Sequence, residues 1–454
     1  MTQAKNKSPS EALTQSNPVS FWEAFKFWLK IGFISFGGPA GQIAIMQQEL
    51  VEKRRWLSEK RFLHALNYCM LLPGPEAQQL AIYIGWLMHR NIGGIIAGSL
   101  FVIPSLLILI GLSWIYLAYG NLPAIASILY GIKPAITAIV IFAAYRIGSR
   151  ALKNSLLWTI ASLAFLAIFL LKTPFPLIVL CAAILGGLGA KLLPEKFTPR
   201  SGHSSHKKSY GRALIDDDTL IPPHAHFSWI NLSRVISTSL LLWTGAMAYL
   251  CAKYGWNGAL TQMAWFFTKA ALMTFGGAYA VLPYVYQGAV DYFQWLTPQQ
   301  MIDGLALGET TPGPLIMVVT FVGFVAGWTQ EVFGPEHLFL AGSVAAIIVT
   351  YFTFLPSFLF ILAGGPIIES THGNLKYTAP LTGITAAVVG VILNLAVFFA
   401  WHVFWPTGFN GAIDFISVII SLCAFLALIR FKVGVILVII ASGITGLAVN
   451  FILA

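Results

Sequence analysis

Long apolar stretches with almost no charge run through this chain, among them residues 97–119, 122–145, 157–171, 379–400 and 433–454. About 20 apolar residues are what an α-helix needs to cross a bilayer. In hydrocarbon only helices and closed barrels satisfy their own backbone groups, and barrel strands would alternate in segments of about ten residues, which these continuous runs do not. Composition points the same way. Of 454 residues 57% are hydrophobic and 10% charged, against about 25% charged in an average soluble domain. A soluble fold would lack the polar surface to cover itself, so an all-α polytopic membrane protein is expected.

The formal net charge of +10 would suggest a nucleic-acid partner in a soluble chain. Here the basic residues cluster in a few short loops and read as topology signals, so no nucleic acid is expected and the lipid bilayer is the partner. The first 18 residues are polar, with no charged start, apolar core and small-residue cleavage site, so the first membrane element is itself expected to direct insertion. Cys69, Cys181, Cys251 and Cys423 stand far apart without metal-ligand spacing. Neither disulfides, a metal site nor a cofactor is expected.

The chain is doubled. Shifted by 239 residues, positions 27–75 fall on 266–314 without a gap, with 13 of 49 identical. Lys30, Phe36-Gly37-Gly38, Trp56-Leu57 and Pro73-Gly74-Pro75 land on Lys269, Phe275-Gly276-Gly277, Trp295-Leu296 and Pro312-Gly313-Pro314. Pro104-Ser105 corresponds to Pro356-Ser357 after an insertion near 328–340. The expected organisation is a polar tail (1–20), a first repeat (21–193), a solvated hydrophilic linker (194–227), one extra span (228–259) and a second repeat (260–454). The linker histidines His203, His206, His224 and His226 read as solvated rather than metal-binding.

A single extra crossing turns the second copy upside down, and the positive-inside rule tests this. The loop 51–61 carries Lys53, Arg54, Arg55, Lys60 and Arg61, whereas its equivalent 290–300 has no basic residue. The expectation is therefore two inverted-topology repeats, with the N-terminus cytoplasmic and the C-terminus outside. The segments around Phe-Gly-Gly and Pro-Gly-Pro are too short and interrupted for ordinary spans, and are expected to form re-entrant hairpins or broken helices. Four full spans after each pair of hairpins, with the extra span, give about 13 membrane-embedded elements, counting each hairpin region once.

Broken helices in a membrane are tolerated where their freed backbone groups line a cavity or are buried in protein. Interruptions at matching positions of two repeats point to a transporter with its substrate near the midplane. Helices restarting after Gly37, Gly38 and Pro39, after Gly276 and Gly277, and after Pro73-Gly74-Pro75 and Pro312-Gly313-Pro314 would present free N–H groups and positive dipole ends, which favour an anion. Packing or kinking alone would explain one such motif; two motifs at one spacing in two copies favour a shared site. Lys30 and Lys269 are candidates for fixed positive charge, unless they snorkel to the interface. Glu76, Glu309, Asp303 and His64 are candidates for proton coupling, because a carboxylate beside an anion site repels substrate unless protonated; capping or ion pairing is the alternative. Thr310, Thr311, Gln78 and Gln79 offer neutral hydrogen bonds to oxyanion oxygens.

The Phe-Gly-Gly-Pro around Phe36, the basic Val-Glu-Lys-Arg-Arg-Trp-Leu-Ser of residues 51–58, the Leu-Leu-Pro-Gly-Pro-Glu-Ala-Gln-Gln-Leu of 71–80 and the Leu-Gly-Glu-Thr-Thr-Pro-Gly-Pro of 307–314 resemble the chromate ion transporter family in its long two-domain form. Ala278 stands where the first half has Pro39, so the two helix ends are not expected to be equal. The resemblance implies a secondary transporter in a bacterial cytoplasmic membrane that exports chromate and confers resistance, with sulfate as isosteric competitor. It also leaves room for a homodimer. The alternatives are a sulfate or other oxyanion transporter, an anion channel or a lipid-handling protein on the same scaffold. A membrane enzyme such as a chromate reductase has no supporting cofactor motif in the sequence.

Overall fold

The computed structural model describes residues 19–36, 38–192, 212–217, 219, 222–275, 277–370, 379–408 and 411–453. Gly37, Gly276, His203 and His206 lie outside the described residues. Sixteen α-helices occupy the rest, and no strand longer than one isolated bridge occurs among the described residues. In chain order the first half holds α1 (Phe21–Ile34), α2 (Gly38–Gln47), α3 (Glu59–Cys69), α4 (Glu76–Tyr119), α5 (Pro123–Ala151), α6 (Ser155–Leu171) and α7 (Phe175–Leu192). Then come α8 (Trp229–Tyr254), α9 (Ala259–Leu272), α10 (Ala278–Tyr286), α11 (Pro298–Thr310) and α12 (Val318–Thr329). The chain ends with α13 (Leu338–Ser370), α14 (Ala379–Phe404), α15 (Phe415–Ile429) and α16 (Val435–Leu453). Six of these regions are long and apolar enough to cross a bilayer, so the chain is a polytopic helical membrane protein.

The interrupted segments form helical hairpins. α1 has 14 residues, about 21 Å at 1.5 Å each, short of the ~30 Å hydrocarbon core. It stops at Ser35 and restarts at Gly38, whose φ of +68° a glycine adopts freely. α3 begins on a Ser58 cap to the Arg61 N–H, and α11 begins on a capping box between Thr297 and Gln300. α4 is two helices: His89 and Arg90 leave helical geometry, with Arg90 at φ +56°, and the chain doubles back there. Small residues permit the return. A methyl on Gly85 would fall on the Gly93 carbonyl, and one on Gly93 on the Gly85 carbonyl. The second half repeats this plan through Gly327, which packs on the Ala341 carbonyl of α13.

The doubling extends to backbone detail. π-helical turns occur at Gln48–Lys53 and again 239 residues on at Gln287–Tyr292. Arg55 and Gln294, also equivalent, share positive φ values of 56° and 54°. α8 stands at the periphery, with only Met247 and Leu250 of its 26 residues buried. An apolar helix with so few buried contacts faces lipid.

One expectation needs correction. Part of the linker is docked rather than solvated: Ile215 pairs with Leu57 in a parallel bridge, its N–H donating to the Trp56 carbonyl at 3.1 Å and its carbonyl accepting from Ser58 N–H at 3.0 Å. Ala213, Ile215 and Ala225 are buried, and the His224 ring meets the Trp86 carbonyl at 3.1 Å. Two short apolar patches in a polar stretch suffice to hold it down.

The glycine contacts make a prediction. Gly85→Val forces the two arms of α4 apart and should lower stability by about 1–3 kcal/mol, read as a lower unfolding temperature in detergent. Gly111→Ala, where nothing lies within 4 Å of the added carbon, should not lower the unfolding temperature and, inside a helix, should raise it slightly.

Candidate functional site

The hairpin tips meet in a reciprocal arrangement. Gly74 N–H donates to the Thr274 carbonyl at 2.8 Å, and Gly313 N–H donates to the Ser35 carbonyl at 2.8 Å. Each Pro-Gly-Pro glycine thus binds the residue just before Phe-Gly-Gly of the other half. Both need glycine: their φ values are +129° and +109°, and side-chain space is already taken. A methyl on Gly74 would lie 2.5 Å from Ser357 Oγ, and one on Gly313 would lie 2.8 Å from Ser105 Cβ. The Pro-Ser pair of each half therefore backs the tip of the other.

Around these crossings sit buried polar atoms without a partner among the described residues: Ser35 Oγ, Gln42 Oε1, both Gln78 side-chain atoms, Gln79 Oε1, Ser105 Oγ and Ser357 Oγ. None of these side chains is more than 1% exposed. Leaving such a group unsatisfied costs about 1–3 kcal/mol, so their concentration marks these crossings as the candidate binding region. The amides are held in place. Gln42 Nε2 donates to the carbonyls of Gly313 and Ser35, and Gln79 Nε2 donates to the Pro73 carbonyl at 2.8 Å. The helices α2, α4 and α10 start at these tips and add N-terminal dipole ends. The fourth tip differs, because Pro314 leads into a short 3₁₀ turn before α12.

The amide wall belongs to one half. Positions 239 residues after Gln42, Gln78 and Gln79 are Val281, Met317 and Val318. Sequence reasoning grouped the hairpin tips but did not single out Gln42, Ser35, Ser105 or Ser357; the signal was a polar side chain in an apolar segment next to each motif.

The ionisable candidates are spread out. Glu309 is 6% exposed and accepts a hydrogen bond from the Tyr279 hydroxyl. Asp303, 2% exposed, accepts from Tyr116 Oη at 2.9 Å and pairs with Lys133 Nζ at 3.4 Å. Lys133, alone in an apolar stretch of α5, escaped the sequence reading. Glu76 lies half-buried in the first turn of α4, and His64 half-buried on α3. Thr310 and Thr311 donate their hydroxyls to helix carbonyls, Thr311 to Leu307 O at 2.6 Å, so those protons are already used.

The lysine pair is not brought to the buried polar atoms by any contact among the described residues. Lys30 is exposed, and Lys269 Nζ lies 5.6 Å above the Trp265 ring. The charge of Lys30 acts instead on Glu49 in the π turn. There the hydrogen bond from Lys53 outweighs burial and, with the charges of Lys53, Lys30 and Arg54, holds the carboxyl below its ordinary range. Phe36 and Pro39 flank the first turn, half-buried, and Pro73, Pro75 and Pro312 frame the other tips. Among the described residues no cluster of three His, Cys, Asp or Glu could hold a metal.

Two ion pairs bridge the halves away from the tips. Arg61 of α3 reaches Glu369 of α13 at 3.3 Å, and the Tyr83 hydroxyl donates to the same carboxylate. Asp303 of α11 makes the matching set with Lys133 and Tyr116.

Interrupted helical hairpins closing around buried, uncharged polar groups in a polytopic membrane protein fit a membrane transporter. The chromate transporter family model matches residues 22–187 and again 261–447. The chain belongs to the chromate transporter family. It is 32% identical to a chromate transport protein of Pseudomonas aeruginosa over 94% of this chain and 92% of that one. A chromate transport protein of Cupriavidus metallidurans is 27% identical over 89% of this chain and 87% of its own length. A probable chromate transport protein of Synechococcus elongatus is 28% identical, covering 86% and 87%. No solved structure matches the chain.

The buried pair at Asp303 gives the next prediction. Lys133→Met leaves a carboxylate in an apolar environment and should destabilise the protein by about 3 kcal/mol in thermal unfolding. Adding Asp303→Asn to that variant should restore most of the loss; no recovery would mean that Lys133 acts through packing alone.

Proposed function

We propose that this protein is a secondary transporter that exports chromate across the bacterial cytoplasmic membrane and thereby confers chromate resistance. The observation that carries the reading is the group of buried, unpartnered hydroxyls and amides at the reciprocal hairpin tips. A tetrahedral dianion needs several donors to replace its water shell. Ser35, Ser105, Ser357 and Gln78 are able to donate, and helix starts add partial positive charge. The relatives' names supply the oxyanion. Sulfate, of the same shape and charge, is the expected competitor, since isosteres differ only in fine placement of donors.

Export follows from voltage. With the inside negative, each charge gains about 2.3 kcal/mol per 100 mV, so a leaving dianion gains about 4.6 kcal/mol without coupling. Proton exchange is the second element of the reading. Glu309 and Glu76 stand near the motifs, and a carboxylate that loses its charge admits a dianion that an ionised one repels. Asp303 and His64 are the remaining candidates for proton coupling, and Lys30 and Lys269 for fixed charge. Alternating access would come from rocking of two inverted repeats about the tips, with the basic loop 51–61 cytoplasmic and the C-terminus outside.

Everted vesicles at clamped voltage test the transport reading. Saturable chromate uptake, inhibited by sulfate, is expected, with kcat/KM reduced about 10- to 100-fold in Gln78→Leu and in the Ser105→Ala, Ser357→Ala double variant, as for hydrogen bonds to a charged group. Loss in Lys30→Ala or Lys269→Ala, with those variants unaffected, would move the site to the lysines. A proton gradient at zero voltage should drive accumulation in the wild type and not in Glu309→Gln; pH-independent flux ends the coupling reading. Uptake that never exceeds equilibrium under any gradient would make the protein a channel.

Orientation has its own test. In a cysteine-free background, Lys53→Cys and Tyr292→Cys occupy equivalent positions of the two repeats. A membrane-impermeant thiol reagent should label them from opposite sides; labelling from one side refutes inversion.

A further inference from the structure

A cavity of about 480 Å³ lies between α4, α8 and α13. It opens beside α8, the helix that faces lipid over most of its surface. Along α4 it runs from Asn91 to Leu106. Fifteen residues of helix are about 22 Å, enough to reach from the interface through one leaflet's half of the ~30 Å core.

Its polarity is graded along that length. At one end are Asn91 and Arg234, the latter exposed and the one charged residue among the described lining. About one turn deeper on α8 are the hydroxyls of Thr238 and Ser239. Beyond them the wall turns apolar through Leu242, Leu106 and Ile347. The polar groups at that far end are engaged already: Thr350 donates to the Ala346 carbonyl at 2.7 Å, and the Tyr351 hydroxyl to the Leu242 carbonyl at 3.1 Å.

The Arg234 end lies on the basic face of the protein. His224, five residues before α8, contacts the Trp86 carbonyl, and the linker strand pairs with Leu57 in the loop that carries Lys53, Arg54, Arg55, Lys60 and Arg61. Arg90, at the turn of α4, precedes Asn91 directly. An anionic leaflet concentrates at such a surface.

We propose that this groove binds an anionic phospholipid of the leaflet at the basic face. Its phosphate sits on the Arg234 guanidinium and the Asn91 amide, its glycerol ester carbonyls accept from Thr238 and Ser239, and one acyl chain fills the apolar trough. Guanidinium presents paired donors that match a phosphate. Hydroxyls at ester depth and aliphatic side chains below them follow the order of a lipid from headgroup to tail. The occupant would join α8 to helices of both halves, adding to the hydrogen bonds from Trp243 to Thr268 and from Tyr351 to the Leu242 carbonyl that already hold it.

The test uses the purified full chain in zwitterionic detergent, titrated with dioleoyl-phosphatidylglycerol or dioleoyl-phosphatidylcholine and read by native mass spectrometry and unfolding temperature. Phosphatidylglycerol should bind preferentially and raise the unfolding temperature. Arg234→Gln should weaken its binding about five-fold, equivalent to the roughly 1 kcal/mol that one basic residue contributes at an anionic surface. Ser239→Trp, which fills the trough and leaves Arg234 in place, should abolish it. Equal binding of the two lipids, or undiminished binding in Arg234→Gln, overturns the proposal. So does competition by soluble glycerol phosphate at the concentration of the lipid, which would mean a headgroup site without a chain. Because the readout involves no chromate, it is independent of the transport reading.

Discussion

Two backbone hydrogen bonds hold the centre of this protein. A helix that ends inside hydrocarbon leaves N–H and C=O groups with no water to take them, and here the four broken ends answer one another across the halves. Gly74 donates to Thr274 and Gly313 to Ser35. For the tips to come that close, each glycine must hold a positive φ and present no side chain to the serine behind it. The motifs are thus fixed by backbone geometry first, and the chemistry they allow follows from what else is buried beside them.

The unpartnered side chains buried at the tips are neutral. They are hydroxyls and amides, and the cations that looked suited to an anion stand elsewhere, Lys30 in an exposed position and Lys269 over the Trp265 ring. Neutral donors suit a carrier that must release what it binds. A full charge in a water-poor site would hold a dianion strongly, whereas dipoles and hydroxyls replace its hydration shell without deepening the well as far. The amides come from the first half alone, with Val281, Met317 and Val318 at the equivalent positions of the second, so the polar lining is uneven even though the backbone around it is doubled.

Much of this was legible in the sequence because it rests on local, repeated signals. Apolar runs of bilayer length gave the class of fold, and Gly-rich and Pro-rich breaks recurring 239 residues apart marked the hairpins. The partners across the halves were not legible. Nothing in the spacing of Ser105 or Ser357 says that each lies behind the opposite tip, nor that Thr311 turns its hydroxyl to Leu307 instead of outward. The linker misled because its average polarity hid the short apolar run Ala213, Leu214 and Ile215, of which Leu214 and Ile215 find an open backbone edge at Arg55 to Ser58. Lys133 was missed because one lysine in a long apolar run is invisible to a window average, while its meaning depends on Asp303, 170 residues away.

The two bridging ion pairs complete the argument. Arg61 and Glu369, with Tyr83, tie the first half's hairpin to α13; Asp303 and Lys133, with Tyr116, tie the second half's hairpin to α5 and α4. Each set joins one carboxylate, one cation and one tyrosine hydroxyl, and each carboxylate is almost wholly buried. Breaking a buried pair is strongly unfavourable unless water or a new partner reaches both charges. If the halves rock about the glycine tips as proposed, such a motion would have to open one of these sets to water, with the glycines as its fulcrum and the ion pairs as its resistance.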